Sequence, residues 1–256
     1  MNLLFIGDVV GQSGCDFLGQ QLYKLKKEYD IDLTVVNGEN SATGNGITPD
    51  SFEQLIRMGV DVVTTGNHCF RRKEIVSLYD NNDILLRPAN YPDGVNGKGF
   101  VVLDLCPVKV AIVNLMGTVY LDSLDNPFVC IDRVLEQIDT PNIIVDFHAE
   151  ATSEKKAMGF YLQGRATAVI GTHTHVQTAD ETILGGHTAY ITDAGMVGPE
   201  LSVLGVDSDL IIKKLKYHTP VKHTESSNPP FLNGVVISFD EKLGKSTNIT
   251  RIISRK

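Results

Sequence analysis

Cysteine is scarce in this sequence, and long hydrophobic runs are missing. The four cysteines include no CxxC pair, and their spacing suggests neither a zinc knuckle nor a disulfide framework, so we expect four reduced thiols. No apolar run approaches the roughly 20 residues that a membrane span needs. The apolar opening, residues 1–10, lacks the basic segment and the cleavage site of a signal peptide, and we interpret it as a buried strand. These absences predict a cytoplasmic protein.

Basic residues are also fewer than acidic residues in this sequence. The chain has 23 lysine and arginine residues against 31 aspartate and glutamate residues, which gives a formal net charge of −8. This balance argues against broad electrostatic binding to nucleic acid or anionic membranes. It does not exclude a small anionic substrate, because bound metal ions reverse the local charge.

The remaining composition is that of a globular protein, with 42% hydrophobic and 21% charged residues. We find no internal repeat, low-complexity tract or clear linker. We therefore expect one domain over residues 1–256.

Short apolar runs alternate with helical periods along the chain. Apolar residues spaced three and four apart predict helices near 18–25, 131–138 and 209–217, with another before Gly164 and one that begins at Thr48-Pro49. A hairpin is expected around Cys106-Pro107. The order indicates an α/β protein with a mixed sheet or two packed sheets covered by helices. The predicted strands are 3–6, 33–36, 60–65, 84–86, 99–105, 108–115, 142–147, 168–170, 188–192, 234–239 and 248–253.

Five of the apolar runs end in residues that can bind a metal. Ligands of open α/β sheets bind beyond the carboxyl ends of the strands, so these segments are expected at one rim. Their mixed nitrogen and oxygen atoms suit Mn, Fe or Zn better than Ca or Mg. The set is large enough for two ions about 3.5–4 Å apart, bridged by a carboxylate. The residues are Asp8, Glu39-Asn40, Asn67-His68, His148 and His173-x-His175.

Taken singly, each of these residues also has a structural interpretation, as a cap, a helix entry, a turn or a satisfied core histidine. The pair His173-x-His175 is more informative, because histidines one residue apart often mark metal sites. The shared position at strand ends is what favours a metal site over these alternatives.

The motifs also resemble those of a known superfamily. Gly7-Asp8, Gly66-Asn67-His68, His148 and the segment 171–175 (GTHTH) are similar in order and spacing to the motifs of calcineurin-like metallophosphoesterases. Two positions depart from that pattern. Val10 stands where the wider superfamily has a histidine, and Glu39-Asn40 stands where it has a bridging aspartate.

Both departures resemble the bacterial YmdB family of cyclic-nucleotide phosphodiesterases, and this second resemblance covers nearly the whole chain. The fold that it implies is α/β, a sandwich of two mixed β-sheets flanked by helices. The segments that carry it are IGDVVG (6–11), NGEN (37–40), TTGNH (64–68), RPANYP (87–92) and GTHTHVQTAD (171–180).

The resemblance implies a role for each site residue. Two metal ions would be bound, with iron expected first and manganese or zinc as alternatives. Asn40 would replace the histidine that Val10 cannot supply. His68 would be a proton donor rather than a ligand. The implied ligands are Asp8, Asn40 and His175 for the first ion, Asn67, His148 and His173 for the second, and Glu39 as the bridge.

The implied substrate is a small phosphodiester, a 2′,3′-cyclic nucleotide or else a 3′,5′-cyclic one. Metal binding lowers the pKa of water from 15.7 to about 7, and the resulting hydroxide would attack phosphorus while His68 protonates the leaving oxygen. Two other classes stay open: a phosphomonoesterase or protein phosphatase on the same site, and a non-catalytic metal or nucleotide sensor. We expect no stable binding to nucleic acid or membrane, and a homo-oligomer only as a general expectation.

Several charged residues near the motifs have two interpretations. The basic segment 71–73 either contacts phosphate or begins a solvated helix. Asp146 and Asp193 either orient histidine ligands or are satisfied elsewhere. The remaining histidines, expected to be structural or exposed, are His187, His218 and His223.

Overall fold

Buried strands alternate with amphipathic helices through most of the chain. A computed structural model describes residues 1–222 and 224–256. In chain order its elements are β1 (Asn2–Ile6), β2 (Asp8–Val9), α1 (Gly11–Glu28), β3 (Leu33–Asn37), α2 (Pro49–Arg57), β4 (Val62–Thr64), a 3₁₀ helix (Lys73–Ile75), α3 (Val76–Asn81), β5 (Phe100–Asp104), β6 (Lys109–Met116), α4 (Pro127–Leu135), β7 (Ile143–His148), α5 (Thr152–Tyr161), β8 (Ala168–Thr172), β9 (Thr182–Leu184), β10 (Thr188–Ile191), β11 (Met196–Pro199), α6 (Ser208–Tyr217), β12 (Pro230–Asp240) and β13 (Lys245–Arg255).

The strands form two mixed sheets. The first has seven strands in the order β2-β11-β12-β1-β3-β4, with β13 paired to β12. The second has six strands in the order β5-β6-β7-β8-β10-β9. In the first sheet β1, β3 and β4 run parallel, and in the second β6, β7, β8 and β10 do. Parallel strands have their carboxyl ends at the same edge of a sheet. The predicted site residues lie at or shortly after these strand ends.

Strand β1 contributes side chains to two cores. Leu3 and Phe5 pack between the two sheets, against residues of the second sheet such as Ile112. Leu4 and Ile6 point the other way and pack beneath helices of the first sheet. Because both faces of the strand are buried, its sequence is a continuous apolar run rather than an alternating one.

Helices cover the outer face of each sheet. Leu18 and Leu22 of α1 pack on the first sheet, together with Leu55 of α2. Ile131 of α4 and Met158 of α5 pack on the second sheet. These layers confirm the predicted fold class, an α/β sandwich of two mixed sheets flanked by helices. Among the described residues, no helix combines the length and hydrophobicity needed to cross a membrane.

The structure differs from the sequence prediction at a few elements. Residues 84–86 form only single bridges, Val63↔Leu85 and Leu86↔Lys98, and Pro88 follows, which cannot donate a ladder hydrogen bond. The predicted strand 60–65 shortens to β4, and the helix near 131–138 ends at Leu135. The elements that the sequence analysis missed are β2, β9, β11, α3 and the 3₁₀ helix, all of six residues or fewer.

Candidate functional site

The rim where the two sheets meet brings every predicted site residue together. The first sheet and its following loops supply Asp8, Glu39-Asn40 and Asn67-His68. The second sheet supplies His148 at the end of β7 and His173-x-His175 just after β8. The loops that follow strands allow residues that are far apart in sequence to face one another.

The carboxylate of Glu39 lies at the centre of this group and is fully buried. Its Oε1 atom lies 3.3 Å from His68 Nδ1 and 3.3 Å from His148 Nε2, and it accepts a hydrogen bond from Asn40 Nδ2 at 3.2 Å. Its Oε2 atom accepts the backbone N–H of His68 at 2.9 Å. Glu39 therefore joins side chains from both sheets.

One set of donor atoms surrounds His148. Its Nε2 atom lies 2.9 Å from Asn67 Oδ1 and 3.0 Å from His173 Nδ1. Metal bonds of about 2.1 Å place neighbouring ligand atoms about 3 Å apart, which matches this spacing. Ligand atoms of Glu39, His148 and His173 all lie within 4.8 Å of one another. These atoms fit a cation of the type that histidine and carboxylate bind.

A second set surrounds Asp8. Asp8 Oδ1 lies 3.5 Å from His175 Nε2, and Asn40 Nδ2 lies 3.3 Å from the same nitrogen. Asp8 Oδ2 accepts the backbone N–H of His173 at 3.1 Å. The amide oxygen of Asn40 points to His68 Nδ1, at 2.9 Å. Because an amide ligates through oxygen, Asn40 has to turn over before it can bind an ion in this set.

The ionisation of the site favours cation binding at Glu39 and His173 and opposes it at His148. Burial opposes the charge on Glu39, but His148 and His68 outweigh burial and hold the pKa of Glu39 well below its usual range. Burial, reinforced by His148, lowers the pKa of His173 to about 4, so this imidazole is neutral at neutral pH. Burial also opposes the charge on His148, yet Glu39 and Asp8 raise the pKa of His148 to about 9. A cation that binds His148 must therefore displace a proton.

A hydrogen-bonded chain behind His148 fixes its tautomer. Thr172 Oγ1 donates to Asp146 Oδ1 at 2.7 Å and lies 2.9 Å from His148 Nδ1. Since the threonine proton goes to the carboxylate, Nδ1 of His148 is the donor to Thr172, and Nε2 is the nitrogen that can ligate once its proton is displaced. Asp146 is fully buried, and burial raises its pKa to about 6. Asp146 thus orients the histidine through Thr172.

The backbone between the paired histidines is held in an unusual conformation. His173 and His175 have φ values of 101° and 64°. The turn is held by Asp193 Oδ2, which accepts from Thr174 N at 3.0 Å and from Thr174 Oγ1 at 2.7 Å. The same oxygen accepts from Lys155 Nζ at 2.7 Å. Such positive φ values persist only where the surroundings impose them.

Three of the residues that support the site were not identified from the sequence. Glu150 Oε2 lies 3.0 Å from His173 Nε2. Its position two residues after His148 was an available signal, because carboxylates commonly orient histidine ligands. Thr172 and Lys155 gave no comparable signal, since their roles depend on contacts between neighbouring elements.

The site opens into a cavity of about 470 Å³, which His68 lines together with residues of several loops. The basic segment 71–73 is not part of this lining. The Arg72 guanidinium instead donates to the carbonyls of Asn45, at 2.9 Å, and Thr43, at 2.5 Å, and so holds a loop beside the cavity. His187 is half-buried, His218 is exposed, and His223 lies outside the described residues.

Comparisons with known proteins agree with this architecture. A curated protein of Bacillus subtilis, named 2′,3′-cyclic-nucleotide 2′-phosphodiesterase, is 47% identical over 99% of this chain and 97% of its own length. A solved structure of a hypothetical protein from Thermus thermophilus has 37% identity and a TM-score of 0.95, with both chains covered completely.

More distant structures share the fold. A calcineurin-like phosphoesterase of Bacillus subtilis superposes with a TM-score of 0.59 at 11% identity, over 100% of this chain and 90% of its own. The prediction of an enzyme that hydrolyses phosphoric esters is confirmed. The profile of the YmdB-like protein family matches residues 4–252. The chain therefore belongs to the YmdB-like family.

Proposed function

We propose that this protein hydrolyses 2′,3′-cyclic nucleotides with the help of two metal ions held at the rim of its sheets. The observation that carries the proposal is the position of Glu39, whose buried carboxylate lies between the donor atoms around His148 and those around Asp8. The name of the Bacillus subtilis relative supports the substrate class. A 3′,5′-cyclic nucleotide is a second substrate to be tested.

We propose the ligand sets that the sequence suggested. Iron is the proposed metal, with manganese and zinc as alternatives, because the donor atoms mix nitrogen and oxygen. Ions bound there would neutralise the phosphate oxygens and make water more acidic. The proposed ligands are Asp8, Asn40 and His175 for one ion, Asn67, His148 and His173 for the other, and Glu39 for both.

His68 is the proposed general acid. Its Nδ1 atom faces Asn40 Oδ1 and Glu39 Oε1, and its ring borders the cavity. In the proposed reaction, a water oxygen bonds to phosphorus, the P–O2′ bond breaks, and His68 gives a proton to O2′. The water loses a proton, and the product is a nucleoside 3′-monophosphate.

Metal reconstitution tests the reaction. The purified protein is stripped of metal and loaded separately with Fe, Mn or Zn, and hydrolysis of 2′,3′-cyclic AMP is compared with that of 3′,5′-cyclic AMP, a phosphomonoester and a phosphopeptide. We expect turnover of the 2′,3′-cyclic substrate only after loading. If two ions bind per chain and phosphomonoesters alone react, the phosphatase alternative is correct. If no substrate reacts, a sensor is favoured.

Two variants separate the proposed roles. His68→Ala should lower the rate with an alkoxide leaving group by roughly 10²–10⁴-fold, and less with a p-nitrophenolate leaving group, which needs no proton. Glu39→Gln should reduce the bound metal measured by mass spectrometry. Exposed His218 and Glu28 supply the matched controls, His218→Ala and Glu28→Gln. Full activity of His68→Ala on the cyclic nucleotide would remove the general-acid role.

The other predictions from the sequence stand as proposals. We propose a single domain over residues 1–256, a cytoplasmic location and the absence of stable nucleic-acid or membrane binding. Limited proteolysis and cell fractionation test the first two. Light scattering of the purified protein measures the oligomeric state.

A further inference from the structure

One wall of the cavity is apolar, whereas the metal-ligand side is polar. We propose that this wall, the apolar shelf, binds the nucleobase of the substrate, an inference that rests on the proposed function. The shelf consists of Val10, Val203, Leu204, Val206 and Ile211. The metal-ligand side of the same cavity consists of Glu39, Asn40, His68, Glu150, His173 and His175.

The shelf is fixed against the site, because its turn packs directly on Val10, which joins β2 to α1. Gly205 has a φ of +94°, and a Cβ atom there would lie 2.5 Å from Val10 Cγ1. Val10 follows Asp8 by two residues, so this contact sets the distance between shelf and site. Only glycine gives both the backbone conformation and the close approach.

Hydrogen bonds hold the same turn in place. Gly205 donates its N–H to Ser202 Oγ at 2.8 Å, and its carbonyl accepts the N–H of Ser226 at 3.0 Å. Val203 and Val206 exchange backbone hydrogen bonds of 2.9 Å and 3.1 Å. The shelf is therefore formed before any ligand arrives, which lowers the entropy cost of binding.

The chemistry of the cavity points to an uncharged, flat group on the shelf. Among the described residues, no lysine or arginine lines the cavity, so the phosphate has to be held on the metal-ligand side. Apolar side chains next to a few polar groups suit an aromatic base, which has an apolar face and polar edges. Polar residues that line the same cavity include Asn45, Thr224 and Glu225. A cavity of about 470 Å³ is in the range of small-ligand sites.

Neighbouring residues of α6 provide a matched test. Ile211 lines the cavity, whereas Ile212 lies outside it and is 57% exposed. Hydrolysis of 2′,3′-cyclic AMP is compared with that of glycerol 1,2-cyclic phosphate, a cyclic diester without a base. We expect Ile211→Ala to lower the ratio of the two kcat/KM values by about fivefold or more, through lost apolar contact with the base. Ile212→Ala should keep the wild-type ratio.

A binding measurement tests whether the shelf binds the base independently of whether the protein hydrolyses cyclic nucleotides. Adenosine, which has a base but no phosphate, is titrated into the metal-loaded protein and followed by NMR. We expect Ile211→Ala, but not Ile212→Ala, to raise the adenosine Kd by about fivefold. If no diester is hydrolysed, the proposed function is wrong, and the adenosine titration still shows whether the shelf binds a base. The shelf is refuted if adenosine does not bind, or if the two variants have equal effects on the Kd or on the kinetic ratio.

Discussion

The ammonium group of Lys155 lies 2.7 Å from the carboxylate of Asp193, and the two side chains are 1% and 0% exposed. Asp193 also accepts both hydrogen bonds from Thr174, the residue between the paired histidines. A buried charge pair on α5 and the loop after β10 therefore supports the geometry of the metal-ligand side.

Removal of Lys155 is expected to be costly. Lys155→Met should lower the free energy of unfolding by about 3–5 kcal/mol, because it leaves the charge of Asp193 buried without a partner. Lys156→Met is the control, since its ion pair with Asp180 is half-exposed and such pairs contribute about 0–1 kcal/mol. Urea denaturation of the metal-free protein measures both changes. Equal midpoints for the two variants would contradict the prediction.

Gly66 leaves space for the imidazole of His148. A Cβ atom at Gly66 would lie 2.1 Å from His148 Cδ2, so Gly66→Ala should displace the ring and weaken metal binding by about 10–100-fold without a change in charge. Gly19→Ala is the control, because its Cβ would meet only the flexible Met58 side chain, at 3.2 Å. Metal affinity is measured by competition with a chelator. Wild-type affinity in Gly66→Ala would show that the ring can adjust.

Asp180 should contribute a pH-dependent part of the stability. Partial burial raises its pKa, but hydrogen bonds from Thr192, Thr178 and Lys156 outweigh burial and lower it from 3.8 to about 2. A lowered folded-state pKa stabilises the protein above the unfolded value, and this stabilisation is lost as the pH falls through the folded value. The stability gap between wild type and Asp180→Asn should thus be constant above about pH 5 and narrow towards pH 2. Denaturant titrations across this range test the trend, and a gap that widens at low pH would contradict it.

The thiols should differ sharply in reactivity. Cys106 is exposed, whereas Cys15, Cys69 and Cys130 are buried, and the described residues contain no disulfide. Burial raises the pKa of Cys15 and of Cys69 to about 12, which suppresses the reactive thiolate. We expect one thiol per chain to react quickly with an aromatic disulfide reagent and all four to react in denaturant. Loss of the fast phase in Cys106→Ser identifies it.

The sequence predicted the layers of the fold because burial on both faces leaves a continuous apolar run, as in β1. The start of helix α2 was also predicted correctly, because Thr48 is its N-cap and Pro49 is its first residue. Short elements were missed because two to six residues are too few to show a period. Strand β2, for example, exists only through its pairing with β11.

The site residues that lie at strand ends could be predicted from the sequence. The contacts that support these residues could not. Thr172 reaches His148 because β7 and β8 pair in the register that places these two residues side by side. No local pattern encodes that register. The same holds for Lys155, whose helix has to pack on β8 before the ammonium can meet Asp193. It also holds for the apolar shelf, whose other residues lie almost 200 positions after Val10 in the sequence.

The rim draws its side chains from both sheets, as the 3.3 Å approach of Glu39 and His148 shows. A cation held there binds only the docked arrangement of the sheets, and by mass action at 100 times its Kd it adds about 2.7 kcal/mol to the free energy of unfolding. Scarcity of the proposed metal would then act on the lifetime of the protein as well as on the proposed catalysis. Cells short of metal would degrade the metal-free chain faster, so the amount of protein would follow the supply of its ion.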